Sequence, residues 1–450
     1  VIAFECFCII MTLFLIFSSP SEKLMEENKR SFEMNPKIQV SPNQSLIDSE
    51  IEITVTGLTP KNYYTLKAQM KDNLGTHWES YAQFQTDDDG KIDLSTAHPL
   101  EGTYSEPDPH GLLWSMIPVS SERPNKRTPL KPLEYRLSLT KDDVEIKQTF
   151  FTRRLVSTNI VREPILEEGL NGTYFYHPEA GQRPTVICLG GSEGGLRESQ
   201  AALLASHGFN TLALAYYGME NLPTELVQIP IESIERAINW VMKQPSVNAE
   251  KIGMIGTSKG GELALLCASM FPSIKAVVGF VPSGFVYPGI GQASKGLSSW
   301  QYNGKPIPFA LGKIPSEEQE RIKDSTRISY RNYYKYLAKG EDHAEIPVEK
   351  INGPILLISG GDDQLWPSDW LSEKVINRLE KNNHSYTYNH LNYPKAGHSF
   401  AVPTLPTTTS TETSFGKNVI LQLGGTPEDN AHAQMDAWQQ IKEFFSEALK

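Results

Sequence analysis

Gly256-Thr257-Ser258-Lys259-Gly260 carries the pattern G-x-S-x-G. A serine so placed is a candidate nucleophile for acyl transfer, because a sharp strand-to-helix turn lifts its Oγ clear of the backbone. The flanks supply that setting. Lys251-Ile252-Gly253-Met254-Ile255 is short and apolar enough for a buried strand, and Glu262 to Met270 consists of good helix formers. Gly256 and Gly260 stand where a side chain would strike the neighbouring strand and helix. A helix starting at the nucleophile also aims its free N–H groups and positive dipole end at an oxyanion. An ordinary Gly/Ser turn shares the same five letters, so the reading depends on partners further along the chain.

Those partners follow in the order serine, acid, histidine. Residues 353–359 read as a buried parallel strand running into Asp362 and Asp363. Acids at the C-terminal tip of a strand lie on the face where such sheets carry their sites. A helix is predicted over 372–381 and a strand over 385–393, after which His398 falls on a loop. His398 is the candidate general base, taking the Ser258 proton and returning it to the leaving group. Consecutive residues at a strand end diverge, so one of Asp362 and Asp363 should reach His398 and the other be a solvated or loop-capping carboxylate. His384 reads as an exposed turn residue, His390 lies within a strand, and His432 opens the last helix in a packing or capping role. An oxyanion hole needs two backbone N–H groups. One is that of Lys259. The other is expected from Ser192 or Glu193, in the glycine-rich loop after a strand over 184–189. That loop lacks the Gly-Lys-Ser/Thr ending of a phosphate-binding loop and the spacing of a dinucleotide fingerprint.

The elements that must position these groups divide the 450 residues in two. Residues 34–155 alternate with period two, as in 51–57, 64–70, 133–139 and 144–150, and predict an all-β, immunoglobulin-like sandwich. Residues 156–450 alternate strands and helices, the pattern of an α/β fold with a doubly wound, α/β-hydrolase sheet. Residues 284–345 break that rhythm with Gly, Pro and Tyr and predict a lid or substrate wall. Residues 403–414, rich in Thr, Ser and Pro, predict a mobile loop beside His398. An amphipathic helix over 438–449 closes the chain. Residues 1–33 are an apolar run, interrupted by Glu5, and a polar linker. They read either as a signal or anchor segment through residues 1–19 or as an extension ahead of Met34.

A net charge of -11 and a pI of about 5.5 argue against nucleic acid and against recruitment to anionic lipid. Cys6, Cys8, Cys188 and Cys267 form neither a disulfide framework nor a metal-ligand spacing. No metal and no cofactor is expected. The expected location is cytoplasmic, or membrane-anchored or exported if residues 1–19 act as a leader.

Four further segments point the same way. Asp108-Pro109-His110-Gly111-Leu112-Leu113-Trp114-Ser115-Met116 is similar to DPxGLLWSM of the acyl-CoA thioesterase and bile acid-CoA:amino acid N-acyltransferase family. Ala215-Tyr216-Tyr217 with Leu222-Pro223 resembles its AYYxxxxLP, and Ser258-Lys259-Gly260-Gly261-Glu262 its SKGGE. Ala431 to Trp438 resembles its last helix. The resemblance covers residues 34–450. It implies Ser258 as nucleophile, His398 as base, and Asp363, the second of the Asp pair, as the acid. It also implies an acyl-CoA substrate. Thioesterase members carry serine where the acyltransferase carries cysteine, so Ser258 implies hydrolysis. N-acyl transfer to an amino acid and general carboxylester hydrolysis are the alternatives. In the loop after His398, Thr and Ser replace a more aromatic stretch of the family, which leaves the acyl chain length open.

Overall fold

A computed structural model describes residues 35–121, 130–179, 181–294, 296–400, 402–414 and 418–450. The segment 1–33, with its reading as leader or extension, and Cys6 and Cys8 lie outside the described residues. Among the described residues no helix is long and apolar enough to cross a membrane.

Eight strands build the central sheet: β1 (Val161–Ile165), β2 (Asn171–Tyr176), β3 (Arg183–Leu189), β4 (Asn210–Ala215), β5 (Val247–Thr257), β6 (Ile274–Phe280), β7 (Ile355–Gly360) and β8 (Tyr388–Tyr393). Their order is β1-β2-β4-β3-β5-β6-β7-β8. The pairs β1/β2 and β2/β4 are antiparallel and the rest parallel. Every residue of β4 and β7 is buried, as expected where helices cover both faces of a parallel sheet. This is the α/β-hydrolase sheet. The chain reverses its order at β3 and β4, and the loops after β3, β5, β7 and β8 open on one edge, where ligands bind in such sheets.

The preceding residues form two smaller sheets that share a core. One joins Lys37–Ser41, Glu52–Thr56 and Ile92–Asp93. The other is built mainly from Tyr63–Lys71, Thr76–Gln85, Leu133–Lys141 and Val144–Arg154. In Tyr63–Lys71 alternate residues Tyr64, Leu66, Ala68 and Met70 point inward, the period-two signature of a sheet with one buried face. The same apolar cluster continues through Phe175, Leu203 and Phe445, so the N-terminal sheets and one face of the central sheet share one apolar core.

Two elements differ from expectation. The closing helix runs from Pro427 to Ala448, far longer than the 438–449 stripe. Thr426 caps it by accepting from Asp429 N at 3.0 Å, and Pro427 suits the first turn. The Thr-rich loop after His398 is not a free loop. Thr404 Oγ1 donates to Ile47 O and Thr408 Oγ1 to Met116 O, while Thr407 N donates to Trp114 O at 2.9 Å. Thr404, Thr407 and Thr408 thus meet main-chain carbonyls beside the N-terminal strands, and those bonds hold the loop.

Asp108 ties the residues of the N-terminal sheets to the closing helix. It accepts from Trp114 Nε1 at 2.7 Å, from His110 N at 2.7 Å and lies 3.0 Å from His432 Nε2 on the closing helix. The hydrogen bond to Asp108 raises the His432 pKa above its ordinary 6.5, against the opposing effect of burial. A raised folded-state value means that this stabilisation is complete below the ordinary value and fades as pH rises through the folded one. His432→Ala is therefore expected to lower the melting temperature more at about pH 6 than at about pH 8.5, by a small margin because the imidazole is half in water. Melting curves of both proteins at the two pH values test this. A loss that is equal at both values, or larger at the higher one, contradicts it.

Candidate active site

Ser258 sits between β5 and the helix Lys259–Met270 with φ 57° and ψ -121°, a strained turn for a residue with a side chain. The glycines make the turn possible. A Cβ at Gly256 would lie 1.8 Å from Gly260 O, and one at Gly260 would lie 2.1 Å from Gly190 O. No other residue fits either place.

His398 is brought to Ser258 by the loop after β8. Its Nε2 lies 3.0 Å from Ser258 Oγ, and its Nδ1 lies 2.8 Å from Asp363 Oδ2. The loop is fixed on both sides: His398 N donates to Leu423 O at 2.8 Å, and Gly397 N to Asn430 Oδ1 at 2.8 Å. Relative exposures of 6% for Ser258, 8% for His398 and 0% for Asp363 leave only the serine and imidazole edges open to a ligand. The other Asp363 oxygen accepts from Leu365 N at 3.0 Å and Trp366 N at 3.2 Å, which sets the carboxylate plane. The Trp366 indole stands edge-on to His398, centroids 6.0 Å apart.

The adjacent acid turns elsewhere. Asp362 Oδ2 accepts from Gly425 N at 2.8 Å and Oδ1 from Gln364 Nε2 at 2.7 Å, so it clasps a loop. His390 Nε2 is bonded to Ser359 Oγ at 2.7 Å, and His432 to Asp108. His384, read as an exposed turn residue, instead packs half-buried, with Nδ1 3.3 Å from Glu349 O and its ring against Tyr386 and Tyr388.

Lys259 opens the helix. The Ser258 carbonyl, in the same peptide as the Lys259 N–H, accepts from Gly261 N at 2.8 Å and Glu262 N at 3.0 Å. Across from it, Gly191 abuts the nucleophile, since a Cβ there would lie 3.2 Å from Ser258 Cβ. Ser192 and Glu193 follow on an exposed turn, and among the described residues neither amide has an acceptor. The Glu193 carboxylate receives Gly191 N at 3.2 Å and pairs with Arg197 at 2.5 Å.

Arg331 adds a contact that no motif announces. It opens the helix Arg331–Ala338 within the 284–345 insertion. It donates to Asp363 O at 2.8 Å and to Asp369 Oδ2 at 2.6 Å, so the insertion braces the acid loop. Nothing in its local sequence marks it; only the fold of the insertion brings it there. The insertion also walls the site, with Tyr287 and Tyr334 packed on Trp366 behind the imidazole.

Such an arrangement can transfer an acyl group through a serine ester. Over residues 229–450 the chain matches the family described as BAAT / Acyl-CoA thioester hydrolase C terminal, and over residues 48–167 the one described as Acyl-CoA thioester hydrolase/BAAT N-terminal region. Acyl-coenzyme A thioesterase 2, mitochondrial, of Homo sapiens is 33% identical over 413 residues, 89% of this chain and 82% of that protein. Acyl-coenzyme A thioesterase 1 of Homo sapiens is 32% identical over 413 residues, 89% of this chain and 94% of that one. The peroxisomal succinyl-coenzyme A thioesterase of Mus musculus is 31% identical over 432 residues, 92% of this chain and 97% of that one.

Proposed function

The chain belongs to the family of acyl-CoA thioester hydrolases and bile acid-CoA:amino acid N-acyltransferases, and from that membership we propose that it hydrolyses fatty acyl-CoA to free fatty acid and CoA through Ser258, His398 and Asp363. The observation that carries the assignment is the pair of contacts through one imidazole, 3.0 Å to Ser258 Oγ and 2.8 Å to Asp363 Oδ2. His398 Nε2 accepts the serine proton as Oγ attacks the thioester carbonyl carbon. Asp363 holds Nδ1–H, so Nε2 is free to accept, and it stabilises the imidazolium that forms. The Lys259 amide and that of Ser192 or Glu193 receive the oxyanion. The C–S bond then breaks, and the imidazolium proton goes to the departing sulfur. Water, deprotonated by the same Nε2, attacks the serine ester and releases the carboxylic acid while Ser258 regains its proton.

Serine favours hydrolysis over transfer. An oxygen ester is less reactive toward amines than a thioester, whereas water enters with base assistance at the same imidazole. With glycine or taurine present, free acid is expected to remain the main product from a panel of acyl-CoA thioesters of graded length. Ser258→Cys is expected to lower hydrolysis and, where the pocket admits an amine, to raise the share of amide. The measured quantity is the ratio of acid to acyl-amide, with simple esters run alongside. Predominant amide from the unaltered chain would put the acyltransferase in place of the thioesterase, and equal turnover of simple esters would support a general esterase. The same panel sets the acyl length, on which the relatives' names differ. We place the enzyme in the cytoplasm, with membrane anchoring or export through residues 1–19 as the alternative.

A further inference from the structure

The two amides assigned to the oxyanion hole belong to segments far apart in the chain. Their separation has to be held to a fraction of an ångström, because misplacing a catalytic group by about 1 Å can cost on the order of 100-fold. Beneath them runs an unbroken set of buried contacts. Lys259 Nζ donates to both carboxylate oxygens of Glu262, at 2.6 and 2.7 Å. Glu262 Oε1 also accepts from the Trp300 indole N–H at 2.7 Å. The Trp300 ring lies edge-on to Tyr216, centroids 5.7 Å apart, and the Lys259 ammonium lies 5.3 Å from the Trp300 ring centroid. Tyr216 Oη is 2.6 Å from Gly190 O and 3.3 Å from Gly191 O. Tyr216, Lys259, Glu262 and Trp300 are all buried.

Peptide planarity gives these contacts their meaning. The Gly191 carbonyl and the Ser192 N–H belong to one rigid unit, and the one Tyr216 hydroxyl proton goes to the carbonyl just before it, Gly190 O at 2.6 Å, which fixes where that unit starts. Gly194 N, 3.3 Å away, holds the Gly191 carbonyl from the far side. Among the described residues nothing equivalent fixes the next peptide, which favours Ser192 over Glu193 as the second donor. At the other end the Lys259 side chain anchors the residue that supplies the first donor. Trp300 belongs to the insertion, not to the sheet, and touches both halves.

We propose that Tyr216 and Trp300 are positioning residues of the oxyanion hole, Tyr216 pinning the Gly190–Gly191 segment that carries the Ser192 amide and Trp300 tying that side to the Lys259–Glu262 pair. The proposal rests on the thioesterase reading above. Tyr216→Phe removes one hydroxyl, and Trp300→Phe keeps a ring but loses the donor to Glu262. Both are compared with the unaltered chain and with Ser258→Ala. The probes are an acyl-CoA thioester and a trifluoromethyl ketone of the same chain, whose adduct with Ser258 carries an oxyanion. A non-reactive ether analogue reports ground-state binding. Each variant is expected to lose on the order of 10- to 100-fold in kcat with KM within about twofold, and to bind the ketone weaker by the same factor. The ether analogue should bind unchanged. A merely structural role would weaken both analogues alike or leave the ketone alone, and either result overturns the proposal, as does unchanged kcat in Tyr216→Phe. Should Trp300→Phe fail to fold, Tyr216→Phe decides alone. Full activity in Ser258→Ala would instead sink the thioesterase reading itself.

Discussion

Ser258→Ala is expected to lower kcat for acyl-CoA hydrolysis by on the order of 10³-fold or more. The reason lies in the chain of contacts through His398. Without Oγ the imidazole at 3.0 Å has nothing to deprotonate but water, and no serine ester can form. What remains is the stabilisation that the oxyanion donors give to direct attack by water, which accounts for the residual rate of triad-deleted hydrolases. Stability should change little. Alanine meets the same backbone strain at φ 57° that serine already bears, so the turn is neither relieved nor worsened. Hydrolysis assays beside a thermal melt check both halves. A folded variant with near-normal turnover would remove Ser258 from the mechanism.

Asp363→Asn should be comparably severe, on the order of 10⁴-fold in kcat, although it replaces one heavy atom. Asp363 Oδ1 accepts two backbone N–H groups, from Leu365 and Trp366. An asparagine keeps its carbonyl oxygen on those donors, which turns its NH₂ toward His398 Nδ1. That nitrogen must then accept rather than donate, the ring proton moves to Nε2, and Nε2 can no longer take a proton from Ser258. Asp362→Asn retains an oxygen for Gly425 N and should cost less than about tenfold. Equal losses, or the reverse order, would exchange the roles of the two acids. The pH dependence of kcat in each variant separates a tautomer effect from simple unfolding.

The elbow was legible in the sequence because its demands are local. Strand, two glycines and helix are consecutive, and the close approaches of Gly256 and Gly260 are made to backbone only a few residues away or on the adjacent strand. His398 was legible through strand order. Residues alone did not distinguish Asp362 from Asp363; the resemblance to a family did, and the side chains part as consecutive residues at a strand end should. The loop 403–414 misled, since a polar composition cannot tell a threonine facing water from one facing a buried carbonyl. The closing helix was under-read because its first turns bury Asn430, Ala431 and Gln434 in place of large apolar residues. Arg331 and Trp300 were invisible, since both act across contacts that only the folded insertion creates.

The stitching of the Thr404–Thr408 stretch and of His432 to the N-terminal sheets has a consequence for inheritance. Both anchor points lie on the chain that flanks His398, so the imidazole is suspended between its own sheet and a neighbour built by a distant stretch of the gene. A recombination that joined the first half of one relative to the second half of another would keep the carbonyls, which every backbone has, but could part Asp108 from His432, a pair of side chains that must match. The two halves are therefore not interchangeable modules, and their shared surface has to change by paired substitutions, each tolerated only beside its match.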